Sequence, residues 1–154
     1  MEKIVQNDYK TALEKAGAIS IVPTGNSMWP ILKHNSQSVL VEAKKDRLKP
    51  LDVALYTYED KYVLHRVLKV LPEGYVMCGD AMNVLEKVPE NAVFGKMVGF
   101  YKKDVFVSCE DKDYINYVQK WYKHRIIRKI RLACFHLRLK LKSGIRKIFG
   151  RKDK

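Results

Sequence analysis

The chemistry this chain could do begins at a serine. Ser27 lies in the run Pro23-Thr24-Gly25-Asn26-Ser27-Met28-Trp29-Pro30. Gly25 permits a tight backbone path that a residue with a side chain resists. Pro30 fixes its own φ and pushes Trp29 towards an extended conformation. The run therefore predicts a short rigid turn between two extended segments, with Ser27 on it. A serine hydroxyl is a weak nucleophile unless a base lies within hydrogen-bond reach. His65, in Leu64-His65-Arg66-Val67, supplies an imidazole, and the free side chain titrates near neutrality. It can take the Ser27 proton and return it to a leaving amine. A carboxylate must then orient the ring and stabilise the imidazolium. Asp80 and Glu86, in Gly79-Asp80-Ala81-Met82-Asn83-Val84-Leu85-Glu86, are the two candidates, and their spacing leaves the choice between them open. This is acyl-transfer chemistry, and it calls for neither metal nor cofactor. Lys69 and Lys96 are alternative bases, but Lys96 reads as structural and Lys69 as the solvent face of a strand. His34, His124 and His136 stand isolated and read as surface residues.

Three kinds of segment must position these groups. Residues 4–17 place Ile4, Val5, Tyr9, Ala12, Leu13 and Ala16 at helical intervals before Gly17, which predicts a short amphipathic helix. Residues 18–109 carry short, β-branched apolar segments such as Ile19–Val22, Val53–Tyr58 and Tyr62–Val70. Glu59-Asp60-Lys61, Pro72-Glu73-Gly74 and Lys102-Lys103-Asp104 punctuate them as turns, which predicts an antiparallel β-domain. From residue 110 to 154 the period returns to 3.6. Ile127, Ile130, Cys134, Leu137, Leu141, Ile145 and Ile148 form one apolar stripe, with Phe135 and Leu139 beside it, and Gly144 as a point of breakage.

Charge separates the same regions. Lys120 to Lys154 holds fourteen Lys and Arg against one acid, Asp153, and so carries the whole net charge of +13. Residues 1–119 balance sixteen basic against sixteen acidic residues. A basic amphipathic helix suits an anionic membrane surface, with Trp121, Arg125, Arg128, Arg131 and Arg138 as the contacts. Nucleic acid is a less favoured partner, because the body carries no helix-turn-helix or zinc motif. A helix packed on the β-domain with a solvated charged face is the third reading. The three cysteines, Cys78, Cys109 and Cys134, are odd in number and far apart, which argues against a disulfide framework, and no pair has the close spacing of a zinc knuckle. The first eight residues lack the apolar stretch of a signal peptide, and no run of apolar residues is long enough to span a bilayer. These point to the cytoplasm or to the inner face of the membrane.

Read in order, the β-region carries five boxes. They are Gly25-Asn26-Ser27-Met28-Trp29-Pro30; Leu48-Lys49-Pro50-Leu51-Asp52-Val53-Ala54-Leu55-Tyr56; Leu64-His65-Arg66-Val67; Gly79 to Glu86; and Phe94-Gly95-Lys96-Met97-Val98-Gly99. The series resembles the signal peptidase I family and its relatives, the self-cleaving LexA-type peptidases. The His-Arg-Val box is similar to the archaeal and endoplasmic-reticulum type, in which a His is the base. The resemblance implies a peptidase domain of coiled antiparallel β-sheet. It implies Ser27 as nucleophile, His65 as base, Glu86 in the triad acid position and Asp80 in a supporting one. Relatives normally carry Asp where this chain has Glu86, which is one methylene longer. They often place a hydroxyl residue two before the nucleophile, where Gly25 stands here. The oxyanion hole is then expected on the Ser27 N–H, with Gly25, Asn26 or Thr24 in support. Met28 and Pro30 are the expected substrate-side residues, and short side chains are expected before the cleaved bond. The membrane anchor of signal peptidases has no counterpart in the chain. The expected function is a serine endopeptidase that removes a leader or signal-type segment. The alternative is an inert relative that binds peptide or a membrane surface.

Overall fold

The computed structural model describes residues 9–149, and of 125–127 and 142–149 it describes the backbone alone. The fold is mainly antiparallel β, with a short N-terminal helix and C-terminal helices. It divides into two units, one reaching to Asn116 and the other starting at Tyr117. The sequence had placed that boundary at residue 110.

In the first unit, helix α1 (Tyr9–Ala16) precedes strands β1 (Ala18–Ile21), β2 (Val39–Ala43), β3 (Val53–Tyr58), β4 (Lys61–Leu71) and β5 (Gly74–Cys78). Strands β6 (Glu86–Pro89), β7 (Val93–Lys102) and β8 (Val105–Ser108) complete the sheet. Ile4 and Val5 of the expected first helix lie outside the described residues. Gly17, at φ 74°, ends α1 and returns its N–H to Leu13 O, the left-handed cap that glycine adopts without a Cβ clash. The strand order is β1-β2-β7-β3-β4-β5-β6, with β8 also on β7 and every pair antiparallel.

The turns follow from the chain. Tyr58 pairs with Lys61 across Glu59 and Asp60, both at positive φ, so β3 and β4 meet in a two-residue turn whose twist matches that of the strands. Leu71 pairs with Gly74 across Pro72-Glu73, and Lys102 with Val105 across Lys103-Asp104. The sequence had not marked β6. Glu86-Lys87-Val88-Pro89 is a short edge strand that buries only Val88, too little alternation to read from the chain.

One face of β3, β4, β5 and β6 builds the core. Ala54, Tyr56, Val67, Tyr75, Met77 and Val88 pack there with Leu48 and Val93. Burying side chains such as Val and Met contributes roughly 1.5–3 kcal/mol each. Register explains the shared face. Ala54 stands opposite His65, Val67 opposite Met77, and Met77 opposite Glu86. Residues two apart on a strand share a face, so Tyr56, His65 and Glu86 all project to this side.

In the basic region the expected single helix is two, α2 (Lys112–Lys123) and α3 (Arg125–Phe149), parted at His124. Helix α3 runs through Gly144 without interruption. Of the apolar stripe, Ile130, Leu137 and Leu141 are more than half exposed and Cys134 is exposed, whereas Leu132, outside the stripe, is buried. Ile127, Ile145 and Ile148 have side chains outside the described residues. Among the described residues no helix is long and apolar enough to cross a membrane.

Candidate active site

Ser27 sits at the start of a turn, with Trp29 N–H donating to Asn26 O at 3.1 Å and Leu32 N–H to Met28 O at 2.9 Å. The residues after it continue in turns rather than in the extended segment expected from Pro30. A second loop fixes the position of this turn. Ala81 N–H donates to Ser27 O at 2.7 Å, tying the nucleophile candidate to Gly79-Asp80-Ala81. Among the described residues, the N–H groups of Ser27 and Met28 make no hydrogen bond to the rest of the chain. Gly25 differs: its N–H donates to His34 Nδ1 at 2.6 Å. Gly25 is therefore a structural support, and its N–H is not open to an oxyanion. His34, which read as an isolated surface residue, is exposed yet anchors this loop, an interaction that no local spacing signals.

His65 is buried on β4, and its Nδ1 lies 3.0 Å from Glu86 Oε2 and 3.0 Å from Tyr56 Oη. Tyr56 Oη also donates to Glu86 Oε2. The diagonal placement of Tyr56 and His65 on paired strands brings the two together. Glu86 reaches the ring from the first residue of β6, across β5. Burial first, and then Glu86, hold the Tyr56 hydroxyl protonated far above the usual tyrosine range. The phenol is thus a donor to the carboxylate. Tyr56 is the site residue the sequence reading missed, because its role depends on strand register.

Asp80 does not meet His65. Its two oxygens accept from Arg66 Nε at 2.8 Å and Arg66 Nη2 at 2.7 Å, and both side chains are fully buried. Arg66 Nη1 donates to Leu51 O at 2.7 Å and lies 3.2 Å from Tyr114 Oη. Burial is the first cause that raises the Tyr114 pKa, although nearby Arg66 lowers it. The physical reason for the division is alternation. His65 and Arg66 are consecutive on β4 and project to opposite faces of the sheet. The two acids therefore separate, Glu86 to the imidazole and Asp80 to the guanidinium. Lys96 pairs with Asp52 at 3.1 Å, in line with its structural reading.

Ser27 and His65 line one cleft of about 290 Å³, with Ile21, Pro23, Met28, Leu32 and Tyr62. Pro30 does not reach it, so of the two expected substrate-side residues only Met28 lines it. Gly79 leaves room for Ser27 and His65 to come near each other. A Cβ there would stand 2.7 Å from Ser27 O and 3.1 Å from His65 Nε2. The outer nitrogen of the ring and the Ser27 backbone thus close in on the same side of Gly79. Among the described residues Ser27 Oγ and His65 Nε2 share no hydrogen bond, and such bonds commonly tighten only when substrate binds. Gly79→Ala is expected to push the Ser27 backbone and the ring apart, and displacements near 1 Å cost about 100-fold in rate. Acylation kinetics with far-UV circular dichroism check this. An unchanged rate in a folded variant would mean that Gly79 does not set the gap.

The contacts expected for a membrane are unevenly placed. Trp121 is buried, so its ring is not on the exposed face of α2. Arg128 is half-buried, its guanidinium carbon 5.0 Å from the Tyr122 ring centroid. Arg131 and Arg138 are exposed on α3, and the side chain of Arg125 lies outside the described residues. Among the described residues no cluster of His, Cys, Asp and Glu is placed to hold a metal ion. Compared with family models, with curated proteins and with solved structures, this chain matches none.

Proposed function

We propose that this chain is a serine endopeptidase, similar in chemistry to signal peptidase I, that removes a leader or signal-type segment from a peptide or protein. The observation that carries the reading is His65. Its Nδ1 is held by Glu86, while its Nε2 and the Ser27 carbonyl both border Gly79 and the two residues line one cleft. Glu86 accepts from Nδ1–H, so Nε2 is left bare and can take the Ser27 proton. Ser27 Oγ then attacks the peptide carbonyl. The Ser27 N–H, which has no hydrogen bond among the described residues, would donate to the oxyanion. His65 returns its proton to the leaving amine, and water releases the acyl-enzyme by the reverse proton path. The five boxes of the sequence support the same assignment.

The test needs no substrate. An alkyl fluorophosphonate should phosphonylate the protein once, with loss of fluoride, on the tryptic peptide holding Ser27. Absence of that adduct in folded protein would leave the inert peptide-binding reading, which the missing Ser27–His65 hydrogen bond favours.

The place of action we propose is an anionic membrane surface, reached through α3 from the cytoplasmic side. Its exposed Ile130, Leu137 and Leu141 lie among Lys129, Arg131, Arg138 and Lys140. Each cation near such a surface contributes about 1 kcal/mol. The protein should co-sediment with phosphatidylserine vesicles at low salt and largely dissociate at high salt. Leu137→Glu with Leu141→Glu should weaken this binding. Equal sedimentation with neutral vesicles would refute the electrostatic part.

A further inference from the structure

We propose that Tyr56 is a positioning residue of this site, its buried hydroxyl clamping Glu86 against His65 so that a glutamate can orient the ring. The inference rests on the Ser–His reading above and adds a fourth member to it. Three atoms meet at one point: Tyr56 Oη, Glu86 Oε2 and His65 Nδ1. Tyr56 Oη has one proton, and Glu86 accepts it. His65 Nδ1 then faces two oxygens, each at 3.0 Å, neither with a proton left to offer. An unprotonated Nδ1 would set its lone pair against theirs. The proton therefore belongs on Nδ1, shared between Oε2 and Oη, and Nε2 is the bare nitrogen.

The clamp also answers a difficulty of geometry. Glu86 opens the edge strand β6, and it has one more rotatable bond than aspartate. Held by His65 alone, its carboxylate could swing out to solvent. Tyr56 has no exposed surface and belongs to the core cluster. Its aromatic ring has few rotamers to lose. A rigid post rooted in the core thus fixes a flexible acid at the edge. The Leu55/Tyr56 register shift between β3 and β7 lies at this post, and such irregularities re-aim side chains beside active sites.

Tyr56→Phe keeps the ring and removes only the hydroxyl. Phosphonylation by an alkyl fluorophosphonate should slow roughly 10- to 100-fold, the scale set by small misplacements of a catalytic group. In a Glu86→Ala background the same change should slow it no further, because Tyr56 acts through Glu86. Two independent losses that multiply would overturn the proposal, as would an unchanged single-variant rate. Histidine ¹⁵N NMR gives a readout that does not depend on activity. Wild-type His65 should be the Nδ1–H tautomer, and Tyr56→Phe should show a mixture. An identical tautomer in both overturns the proposal whatever the enzyme does. Failure of the Ser–His reading shows separately, as labelling that survives in Ser27→Ala.

Discussion

Ser27→Ala is expected to abolish fluorophosphonate labelling and to lower peptide hydrolysis by about 10⁴- to 10⁶-fold, the range seen when a hydrolytic nucleophile is removed. His65→Ala should cost nearly as much, because the Ser27 hydroxyl then has no acceptor for its proton. The double variant should be no worse than either single one, since the two groups work as a unit. The Ser27→Ala change is small enough to leave the fold in place. Ser27 is held through its backbone carbonyl by Ala81 N–H, and alanine keeps that bond. Near-UV circular dichroism should therefore stay native. Hydrolysis of a peptide pool, read by mass spectrometry, measures the loss and identifies the cleaved bond. A folded Ser27→Ala protein that keeps a tenth of the activity would end the peptidase reading.

The second large effect separates the two acids. Asp80→Ala should destabilise the first unit by about 3–5 kcal/mol, because it strands the Arg66 charge in a site without solvent. That is a large share of the roughly 5–15 kcal/mol that holds a domain together. Tyr114 and Leu51 O still contact Arg66, but neither carries a compensating charge. Glu86→Gln should do the opposite. Glu86 is at the sheet edge and a glutamine fills the same space, so stability should change by less than about 1 kcal/mol. Catalysis should fall by up to about 10⁴-fold, because the new amide donates to Nδ1 and moves the ring proton to Nε2. Denaturant melts alongside acylation rates make the comparison. If Asp80→Ala spared stability, or if Glu86→Gln spared the rate, the division of labour between the acids would be wrong.

The inference on Tyr56 and the expected effect of Gly79→Ala probe the same small volume from two sides. One holds the inner nitrogen of the ring, and the other sets the space before the outer one. Together with the two tests above, they ask whether the site is assembled for proton transfer or only resembles one.

Much of this was legible in the chain. The Ser27 turn, the imidazole at His65, the strand-and-turn texture of residues 18–109 and the confinement of the net charge to the last 35 residues all depend on local composition. Local composition acts through neighbours, so spacing reports it. The hairpin at Glu59-Asp60 is legible for the same reason. Which acid stands beside His65 was not legible from spacing, and only the resemblance pointed to Glu86. Alternation shows that His65 and Arg66 project to opposite faces, but only strand register decides that Glu86 arrives on one face and Asp80 on the other. Tyr56 is hidden in the same way, nine residues before the ring in sequence and a diagonal neighbour of it in the sheet. Likewise the periodicity of α3 marks an apolar stripe, yet exposure depends on what the fold sets against it. Period and charge belong to single segments; the joining of Tyr56, His65 and Glu86 belongs to pairings between distant strands, and only the folded sheet makes those.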